Sequence, residues 1–490
     1  MPQALSRALV AACTSFGDAM ALDDGTRSLR YADLLTEARR LAADLDRAGI
    51  APSEPVHVFV SNHAGDIAAL FAVWLAGGVA IPIHRTTPAT VRDTLQRRTR
   101  ARLGIDADRS DDARIETIGT EPTPPRPILD DAAFVIFTSG STGEPKGVVI
   151  THEAFEGKLR QIDSLLQFGR ETRTLLVLNI TFSFGLWVGL LTLLHGGTLV
   201  MQEKFEPRAF CDALVDQRID RVGMVPTMMR VLFSDVAFGA AIDRVVARGA
   251  LRRIMIGGES LGRSLADSIR ARFANTELFD IYGLTETATC DFFSLPADYA
   301  IRPGTIGRPA PQVQYRIADG DGRAVAPNEL GELQIRSPYL MRGYLDAPDL
   351  TEAAYDDGWF RTGDLARAGD DGLVELMGRR KEVISRGGNK VTPVEIEQAL
   401  CAHPDIAAAM AVGIEDAVLG ERIHVLLVPR RGVDVPLASI RTFLETRLER
   451  FKHPDRYYLA DQLPTGRTGK ADRGQLRLQI RDGALAPLAA

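Results

Sequence analysis

The chain of 490 residues has only four cysteines, and they lie far apart in the sequence: Cys13, Cys211, Cys290 and Cys401. No Cys-x-x-Cys pair is present, so their spacing indicates neither a zinc site nor a disulfide framework. Isolated cysteines of this kind usually serve as small, buried apolar side chains. We therefore expect reduced thiols in a cytoplasmic protein.

Long hydrophobic runs are also missing. The most apolar window, residues 184–194, contains two glycines and is shorter than the ~18 apolar residues that span a bilayer. We expect a buried core segment there. The apolar run at residues 8–13 is too short for the hydrophobic region of a signal peptide. We therefore expect a protein that does not bind a membrane.

The chain has no excess of basic residues. It contains 58 lysines and arginines against 64 aspartates and glutamates, which gives a formal net charge of −6. The basic residues are spread along the chain, which argues against a nucleic-acid-binding surface. We expect a monomer or homodimer that binds small molecules and no nucleic acid.

The order of the apolar patterns predicts the fold class. In the first third, a helical pattern between Leu34 and Leu45 is followed by a β-rich run, a second apolar helix and another β-rich run. This β–α–β order is typical of a parallel sheet. After about Gly320 the sequence is typical of β-hairpins, and the C-terminal part again mixes strands with helices, among them one at residues 439–451.

A chain of this length requires more than one hydrophobic core. We predict an α/β fold with a large N-terminal domain, residues 1–378, in which parallel and mixed sheets are flanked by helices and joined by a β-rich subdomain. A small, mobile α+β domain is expected at residues 383–490, after a hinge at residues 379–382. Both predicted domains contain enough residues to fold around their own cores.

A loop rich in glycine and hydroxyl groups follows the apolar run AAFVIF. Residues 138–147 read TSGSTGEPKG, and their glycines allow backbone N–H groups to approach a phosphate chain closely. Lys146 adds a cation for phosphate oxygens. Pro145 and Gly147 on either side of this lysine do not fit the Walker A pattern. A flexible surface loop is the alternative. A mere linker does not explain why ten residues of this composition directly follow a buried strand.

The segment TSGSTGEPKG resembles the phosphate-binding signature of the adenylate-forming superfamily. This superfamily comprises acyl- and aryl-CoA synthetases, the adenylation domains of peptide synthetases, and luciferases. The resemblance implies that the loop binds the phosphates of ATP and that its first threonine also helps to hold Mg²⁺. The residues concerned are Thr138, Ser139, Gly140, Ser141, Thr142, Gly143 and Lys146.

Two further segments resemble the nucleotide site of this family. In DIYGLTET, residues 280–287, the resemblance implies that Tyr282 stacks on adenine, that Thr285 contacts the α-phosphate and that Glu286 holds Mg²⁺. An aromatic face suits a purine, and a carboxylate suits a hard divalent cation. A threonine that merely begins a helix is the alternative. The turn GGES is expected beside adenine. The other nucleotide-binding residues implied by these two segments are Gly258, Glu259, Ser260, Asp280, Ile281 and Gly283.

Two segments nearer the C-terminus complete the resemblance to the nucleotide and thiol sites. In GWFRTGDL, residues 358–365, Asp364 matches the residue that binds both ribose hydroxyls, which one carboxylate is able to do. In GRRKEVISRGGNKVTPVEIE, residues 378–397, Arg379 matches a ribose ligand and Lys381 matches the hinge. Gly387 and Gly388 match the loop that lines the channel for the thiol.

The same long segment also predicts a helix from its residue types alone. Thr392 is suited to the N-cap, Pro393 to the first helical position, and Glu395 to the third.

The segment LPTGRTGKADR, residues 463–473, matches the part of the family that carries the catalytic lysine, and this lysine is Lys470. By resemblance, ATP reacts with a carboxylic acid to give an acyl-adenylate and pyrophosphate, with Lys470, Thr285 and Glu286 as the catalytic residues. The C-terminal domain then rotates about Lys381, a thiol attacks the acyl-adenylate, and AMP leaves. The implied cofactors and substrates are ATP, Mg²⁺ and CoA.

The segment ITFSFGLW, residues 180–187, bears on the identity of the acid. Peptide-synthetase domains carry an aspartate here that pairs with the substrate ammonium, whereas this chain has Phe182, Ser183 and Phe184. An α-amino acid would therefore leave a buried charge unpaired. Many acyl-type members carry a histidine where Phe182 stands. An aromatic wall of Phe182, Phe184, Gly185 and Gly283 favours an aryl acid, as in benzoate-type ligases, and a medium-chain fatty acid is the alternative.

The thiol is expected to be CoA. The segment GIEDAVLGE, residues 413–421, resembles the corresponding segment of free-standing CoA ligases. Only twenty residues follow Lys470, so we expect no attached carrier domain. Loading of a separate acyl carrier protein remains open. A luciferase-like oxygenase shares the nucleotide motifs and is a further alternative.

Overall fold

The computed structural model describes residues 4–107, 113–121, 124–139, 145–234, 236–433, 435–466 and 471–488. Four of the predicted phosphate-loop residues, Gly140, Ser141, Thr142 and Gly143, lie outside the described residues, and so does Lys470. Within the described ranges, the chain forms four β-sheets around which helices pack.

Most of the helices are amphipathic or wholly apolar, and they pack their buried faces on the sheets or on other helices. They are α1 (Ala4–Phe16), α2 (Tyr31–Arg47), α3 (Ala64–Leu75), α4 (Ala89–Thr99), α5 (His152–Leu166), α6 (Ser183–Leu194), α7 (Pro207–Asp216), α8 (Pro226–Ser234), α9 (Gly239–Arg248), α10 (Arg263–Arg272), α11 (Asp298–Ile301), α12 (Pro348–Ala353), α13 (Pro393–Cys401), α14 (Leu437–Glu445) and α15 (Arg473–Arg481). Every helix in the described ranges is too short or too polar to cross a lipid bilayer.

The strands are mostly short. They are β1 (Met20–Asp23), β2 (Ser28–Arg30), β3 (Pro55–Val60), β4 (Val79–His84), β5 (Leu103–Asp106), β6 (Arg114–Thr117), β7 (Ala132–Ser139), β8 (Pro145–Thr151), β9 (Arg173–Leu176), β10 (Thr198–Met201), β11 (Arg221–Met224), β12 (Arg253–Gly257), β13 (Glu277–Tyr282), β14 (Phe292–Ser294), β15 (Arg308–Pro309), β16 (Gln314–Ala318), β17 (Gly331–Arg336), β18 (Gly343–Tyr344), β19 (Tyr355–Asp356), β20 (Trp359–Ala368), β21 (Val374–Arg379), β22 (Ile384–Arg386), β23 (Asn389–Val391), β24 (Ile406–Asp416), β25 (Gly420–Pro429) and β26 (Arg456–Leu459).

A nine-stranded sheet with the order β15-β14-β13-β12-β11-β9-β10-β1-β2 positions the candidate site. Strands β9 to β13 run parallel, and β11 and β12 are almost entirely buried, as expected for strands covered on both faces. Gly257 at the end of β12 pairs with Ile281 near the end of β13. The segments GGES and DIYGLTET therefore leave the sheet side by side at its carboxyl edge, where open α/β sheets bind ligands.

A seven-stranded sheet, ordered β18-β8-β7-β4-β3-β5-β6, holds the two arms of the predicted phosphate loop. β7 and β8 form an antiparallel pair in which Thr138 lies opposite Lys146. The short strand β18 adds to β8 and places Tyr344 opposite Val148. Thr138 and Lys146, on either side of the predicted loop, thus lie at the ends of two paired strands.

The β-rich region forms a five-stranded antiparallel sheet in which β20 pairs with β17, β19 and β21. Asp364 on β20 lies directly opposite Arg379 on β21. The register of this sheet therefore brings together two residues that the sequence assigned separately to the ribose.

A second five-stranded sheet, formed by β22 to β26, packs with α13 and α14 around a core of its own that includes Ile384, Ile396, Ile423 and Ile440. The predicted fold class is confirmed: large sheets with flanking helices, a β-rich region, and a small C-terminal α+β unit. The hinge and the domain limits stay predictions. The chain passes the predicted hinge through a 3₁₀ turn at Arg380–Glu382.

The predicted start of α13 is confirmed, with Thr392 at the N-cap and Pro393 at the first helical position. The Thr392 side chain makes no capping hydrogen bond, and Glu395 contacts Lys452 at 2.6 Å. One local prediction was wrong in detail. The helix predicted over residues 439–451 ends at Glu445. The chain then turns, and Leu448 still reaches the core.

Candidate active site

A cavity of about 2350 Å³ opens at the carboxyl edge of the nine-stranded sheet, and residues from before and after the predicted hinge line it. Most of the described site residues that the sequence predicted line this one cavity. They are Thr138, Phe182, Phe184, Gly185, Gly258, Glu259, Ser260, Asp280, Ile281, Tyr282, Gly283, Thr285, Glu286, Asp364, Arg379 and Lys381.

The residues assigned to adenine and ribose form one hydrogen-bonded group. The Tyr282 hydroxyl donates to Oδ2 of Asp364 at 2.7 Å, and Nε of Arg379 lies 3.0 Å from Oδ1. Burial raises the pKa of the Asp364 carboxyl, although Arg379 opposes this shift. A carboxylate offers about four acceptor positions, so two hydroxyl groups of a ribose could still bind to it.

Glu286, the predicted Mg²⁺ ligand, lies on a 3₁₀ turn formed by Thr285–Thr287. The Tyr344 hydroxyl donates to Oε1 of Glu286 at 3.1 Å, and Nζ of Lys146 lies 5.1 Å from the centroid of the Tyr344 ring. Tyr344 therefore lies between Lys146, which the sequence assigns to phosphate, and the Glu286 carboxylate. Carboxylate oxygens near a lysine fit a magnesium ion that also binds phosphate oxygens.

Glu259 joins three parts of the chain. Its carboxylate accepts a hydrogen bond from the Thr227 hydroxyl at 2.9 Å and lies 3.2 Å from Nη1 of Arg230. The backbone N–H of Ala471 also donates to its Oε1, at 3.2 Å. Lys470 is outside the described residues, but the residue that follows it is thus hydrogen-bonded to the GGES turn at the cavity.

The predicted thiol loop lies elsewhere in this conformation. Gly387 and Gly388 form a two-residue hairpin turn between β22 and β23, with φ values of +56° and +82° that favour glycine. Both residues are exposed and do not line the cavity. This arrangement, with the segment of Lys470 near the cavity and the glycine loop outside it, is the one expected for the adenylation step.

Aromatic and small uncharged residues form the predicted acyl wall. Phe184 stacks on Trp187 with 5.4 Å between ring centroids and an interplanar angle of 9°. A Cβ atom on Gly283 would lie 2.2 Å from the backbone nitrogen of Cys290, so only glycine fits there. Burial raises the pKa of the Cys290 thiol to about 12, which keeps it neutral.

Four further residues of the site were not predicted from the sequence: Thr227, Arg230, Tyr344 and Cys290. Tyr344 belongs to the segment RGYLDAPD, but no local pattern indicates its contact with Glu286. The other three lie in segments without a motif. Their positions follow from the packing of distant segments.

Asp280 is a buried carboxyl of the site whose pKa is strongly raised. It lies on β13, is only 5% exposed, and burial raises its pKa from 3.8 to about 8. The folded protein therefore keeps a proton on Asp280 that the unfolded chain releases above about pH 4, so this residue destabilises the fold as the pH rises from 4 to 8. Without nucleotide, we expect an Asp280→Asn variant to lack this penalty. The unfolding free energy of the variant relative to that of the wild type should therefore rise by about 2–4 kcal/mol as the pH increases from 5 to 8.

Chemical denaturation of both proteins at pH 5 and pH 8 measures this difference. A stability difference that is the same at both pH values would show that the Asp280 carboxyl does not hold a proton in the folded state.

The chain matches two protein families and characterised relatives along most of its length. The family described as "AMP-binding enzyme" matches residues 9–345, and the one described as "AMP-binding enzyme C-terminal domain" matches residues 395–470. A feruloyl-CoA synthase from Amycolatopsis sp is 30% identical, across 94% of this chain and 95% of that protein. A fatty acid–[acyl-carrier-protein] ligase, ScoC, from Streptomyces coeruleorubidus is 31% identical, across 92% of this chain and 91% of that protein.

Among solved structures, an o-succinylbenzoate coenzyme A synthetase from Bacillus subtilis, described as in complex with ATP and a magnesium ion, aligns with a TM-score of 0.81. The alignment covers 97% of this chain and 99% of that one, at 23% identity. This likeness shows a shared fold over nearly the whole length of both chains.

Proposed function

The chain belongs to the family of AMP-binding enzymes and is an AMP-forming acid–thiol ligase, and from this premise we propose that it activates an aromatic carboxylic acid for transfer to CoA. The observation that carries the proposal is the convergence of six separate sequence segments on one cavity, together with an uncharged aromatic wall. ATP, Mg²⁺ and CoA are the cofactors and co-substrates of this reaction.

In the first half-reaction, the substrate carboxylate attacks the α-phosphorus of ATP and pyrophosphate leaves. We assign the ribose to Asp364 and Arg379, because their paired charges are fixed opposite each other on two strands. Thr285, which begins the 3₁₀ turn after β13, is assigned to the α-phosphate, and Lys470 to the charge that moves between the carboxylate and the phosphate. Glu286 would hold Mg²⁺, which would further stabilise the phosphate charge.

In the second half-reaction, a thiol attacks the acyl-adenylate and AMP leaves. We propose that rotation about Lys381 removes the segment of Lys470 and brings Gly387 and Gly388 to the cavity. In support, the C-terminal unit has a core of its own, and one hydrogen bond to Glu259 holds Ala471 at the cavity. The catalytic segment could leave the cavity without unfolding either core.

The proposed aromatic acid follows from the acyl wall. Phe182 and Phe184 face the cavity beside Gly283 and Cys290, and none of these side chains carries a charge. A flat aromatic ring can stack there, whereas a second carboxylate or an ammonium group would lack a partner. A fatty acid is the second candidate, because the relative ScoC is a fatty acid–[acyl-carrier-protein] ligase.

Acid-dependent exchange of pyrophosphate into ATP tests the activity without knowledge of the thiol. The proposal expects the fastest exchange with benzoate- or cinnamate-type acids, and AMP and pyrophosphate as products. Faster exchange with medium-chain fatty acids would favour the second candidate. Thioester formation with CoA, compared with that on a separate carrier protein, identifies the acceptor.

A Phe184→Ala variant should lower kcat/KM for an aromatic acid by about tenfold to a hundredfold, because loss of one buried aromatic contact weakens binding by a few kcal/mol. The enlarged pocket should in turn favour longer acids. Exchange kinetics with a series of aryl and alkyl acids measure both effects.

Phe205→Ala is the matched control, because Phe205 is a partly buried aromatic residue that packs on Phe210 away from the cavity. If both variants changed acid preference equally, Phe184 would not be part of the acyl wall.

A further inference from the structure

A buried ion pair lies behind the turn that presents Thr285 and Glu286. Nζ of Lys158 on α5 lies 2.9 Å from Oδ1 of Asp291, and both side chains have 0% exposure. The pair lies outside the cavity lining, so no step of the reaction uses it directly. A buried lysine paired with a buried aspartate is costly to desolvate, and such a pair is often less stable than apolar residues of the same size.

The second oxygen of Asp291 connects this pair to the active site. The Thr287 hydroxyl hydrogen-bonds to Oδ2 of Asp291, and the same hydroxyl accepts a hydrogen bond from the backbone N–H of Leu284 at 3.2 Å. Thr287 is completely buried and is the last residue of the turn Thr285–Thr287. Its side chain therefore links the turn that faces the nucleotide to a charge anchored on α5.

The backbone between Thr287 and Asp291 is in an unusual conformation. Ala288, Thr289 and Cys290 have φ values of +54°, +81° and +45°, a region that L-residues rarely adopt and that β-branched threonine avoids most. Such a conformation persists only where the surroundings fix it. Nζ of Lys158 donates to the carbonyl oxygen of Cys290 at 3.4 Å, and the N–H of Asp291 donates to the carbonyl of Tyr282 at 2.7 Å.

We infer that Lys158, Asp291 and Thr287 form a positioning network for the reaction. The network fixes the turn that carries Thr285 and Glu286 on one side and the loop that ends at Cys290 in the acyl wall on the other. It rests on the proposed function, because it takes Thr285 and Glu286 as residues that face ATP. None of these three residues lines the cavity, so they act through the backbone that they hold.

A Thr287→Val variant tests the link, since valine has nearly the same shape as threonine but lacks the hydroxyl. Misplacement of the turn should lower kcat for pyrophosphate exchange by about tenfold to a hundredfold and weaken ATP binding, with little effect on the KM for the acid. Thr287→Ser keeps the hydroxyl and should restore both properties to within about threefold of the wild type.

Thr192→Val is the matched control, because Thr192 is also completely buried and its hydroxyl is hydrogen-bonded within α6, away from the cavity. Its melting temperature gives the cost of losing a buried hydroxyl alone. If Thr287→Val matched Thr192→Val in kcat and in ATP affinity, or if Thr287→Ser were as impaired as Thr287→Val, the positioning role would be wrong.

A double variant, Lys158→Met with Asp291→Leu, separates positioning from folding. Replacement of both charges by apolar residues should preserve or raise the melting temperature. The Thr287 hydroxyl then keeps only the carbonyl oxygen of Leu284, within its own turn, as an acceptor. The turn thus loses its link to α5, so exchange should still slow by about tenfold or more. A stable double variant with the wild-type exchange rate would overturn the inference.

Calorimetric titration with ATP, in the absence of acid, is independent of the choice of acid. Weaker ATP binding by Thr287→Val and by the double variant supports the network even if the wild type exchanges pyrophosphate with none of the acids tried. Absence of pyrophosphate exchange by the wild type would count against the proposed function alone. Unchanged ATP affinity in both variants would count against the network.

Discussion

A Lys470→Ala variant is expected to lose acyl-adenylate formation by about a hundredfold to a thousandfold, the usual effect of removing one preorganised electrostatic group from a transition state. Thioester formation from a synthetic acyl-adenylate should remain near the wild-type rate, because the lysine is proposed to leave the cavity before the thiol enters. Single-turnover measurements of the two half-reactions distinguish these outcomes. The backbone hydrogen bond between Ala471 and Glu259 is the structural reason to expect this lysine at the cavity.

Lys204→Ala controls for the loss of a positive charge at the protein surface, since Lys204 is exposed and does not line the cavity. If Lys470→Ala formed the adenylate as fast as this control, the catalytic assignment of the C-terminal segment would be wrong. Equal loss of both half-reactions would instead show that the lysine acts on binding or folding rather than on one chemical step.

The sequence predicted those parts of the site that are contiguous along the chain. The segments that contain Glu259, Thr285 and Asp364 are short, and each resembles a contiguous motif of the family, so that resemblance was sufficient to assign them. Their convergence could be expected because parallel strands end at one edge of a sheet, and the register of β12 and β13 places two of these segments side by side.

The partners of these residues could not be predicted, because they come from distant segments. Tyr344 is 58 residues from Glu286, and Lys158 is 133 residues from Asp291. No local pattern indicates which tyrosine or lysine will face a given carboxylate once sheets and helices have packed. The same limit applies to Glu395 in the first turn of α13, because no local pattern indicates its contact with Lys452 on a later 3₁₀ turn.

A Gly388→Leu variant is expected to lose thioester formation and to keep acyl-adenylate formation. In the proposed thioester-forming state, Gly388 lines the channel for the thiol, and a leucine side chain there should slow thioester formation by about a hundredfold, because displacement of the thiol by as little as 1 Å is sufficient for such an effect. Acyl-adenylate formation should stay near the wild-type rate. In the present conformation, a Cβ atom on Gly388 would have no other atom within 4 Å, so the added side chain does not obstruct the adenylation state.

Gly432→Leu is a closely matched control for this variant. Gly432 has φ of +78°, close to the +82° of Gly388, and a Cβ there also meets no atom within 4 Å. Leucine in this left-handed backbone should destabilise both variants similarly, by about 1–2 kcal/mol. If both slowed thioester formation equally, backbone strain would explain the effect. If only Gly388→Leu slowed thioester formation while the acyl-adenylate accumulated, Lys470 and Gly388 would each serve one step alone. The two half-reactions would then require two different positions of the C-terminal unit.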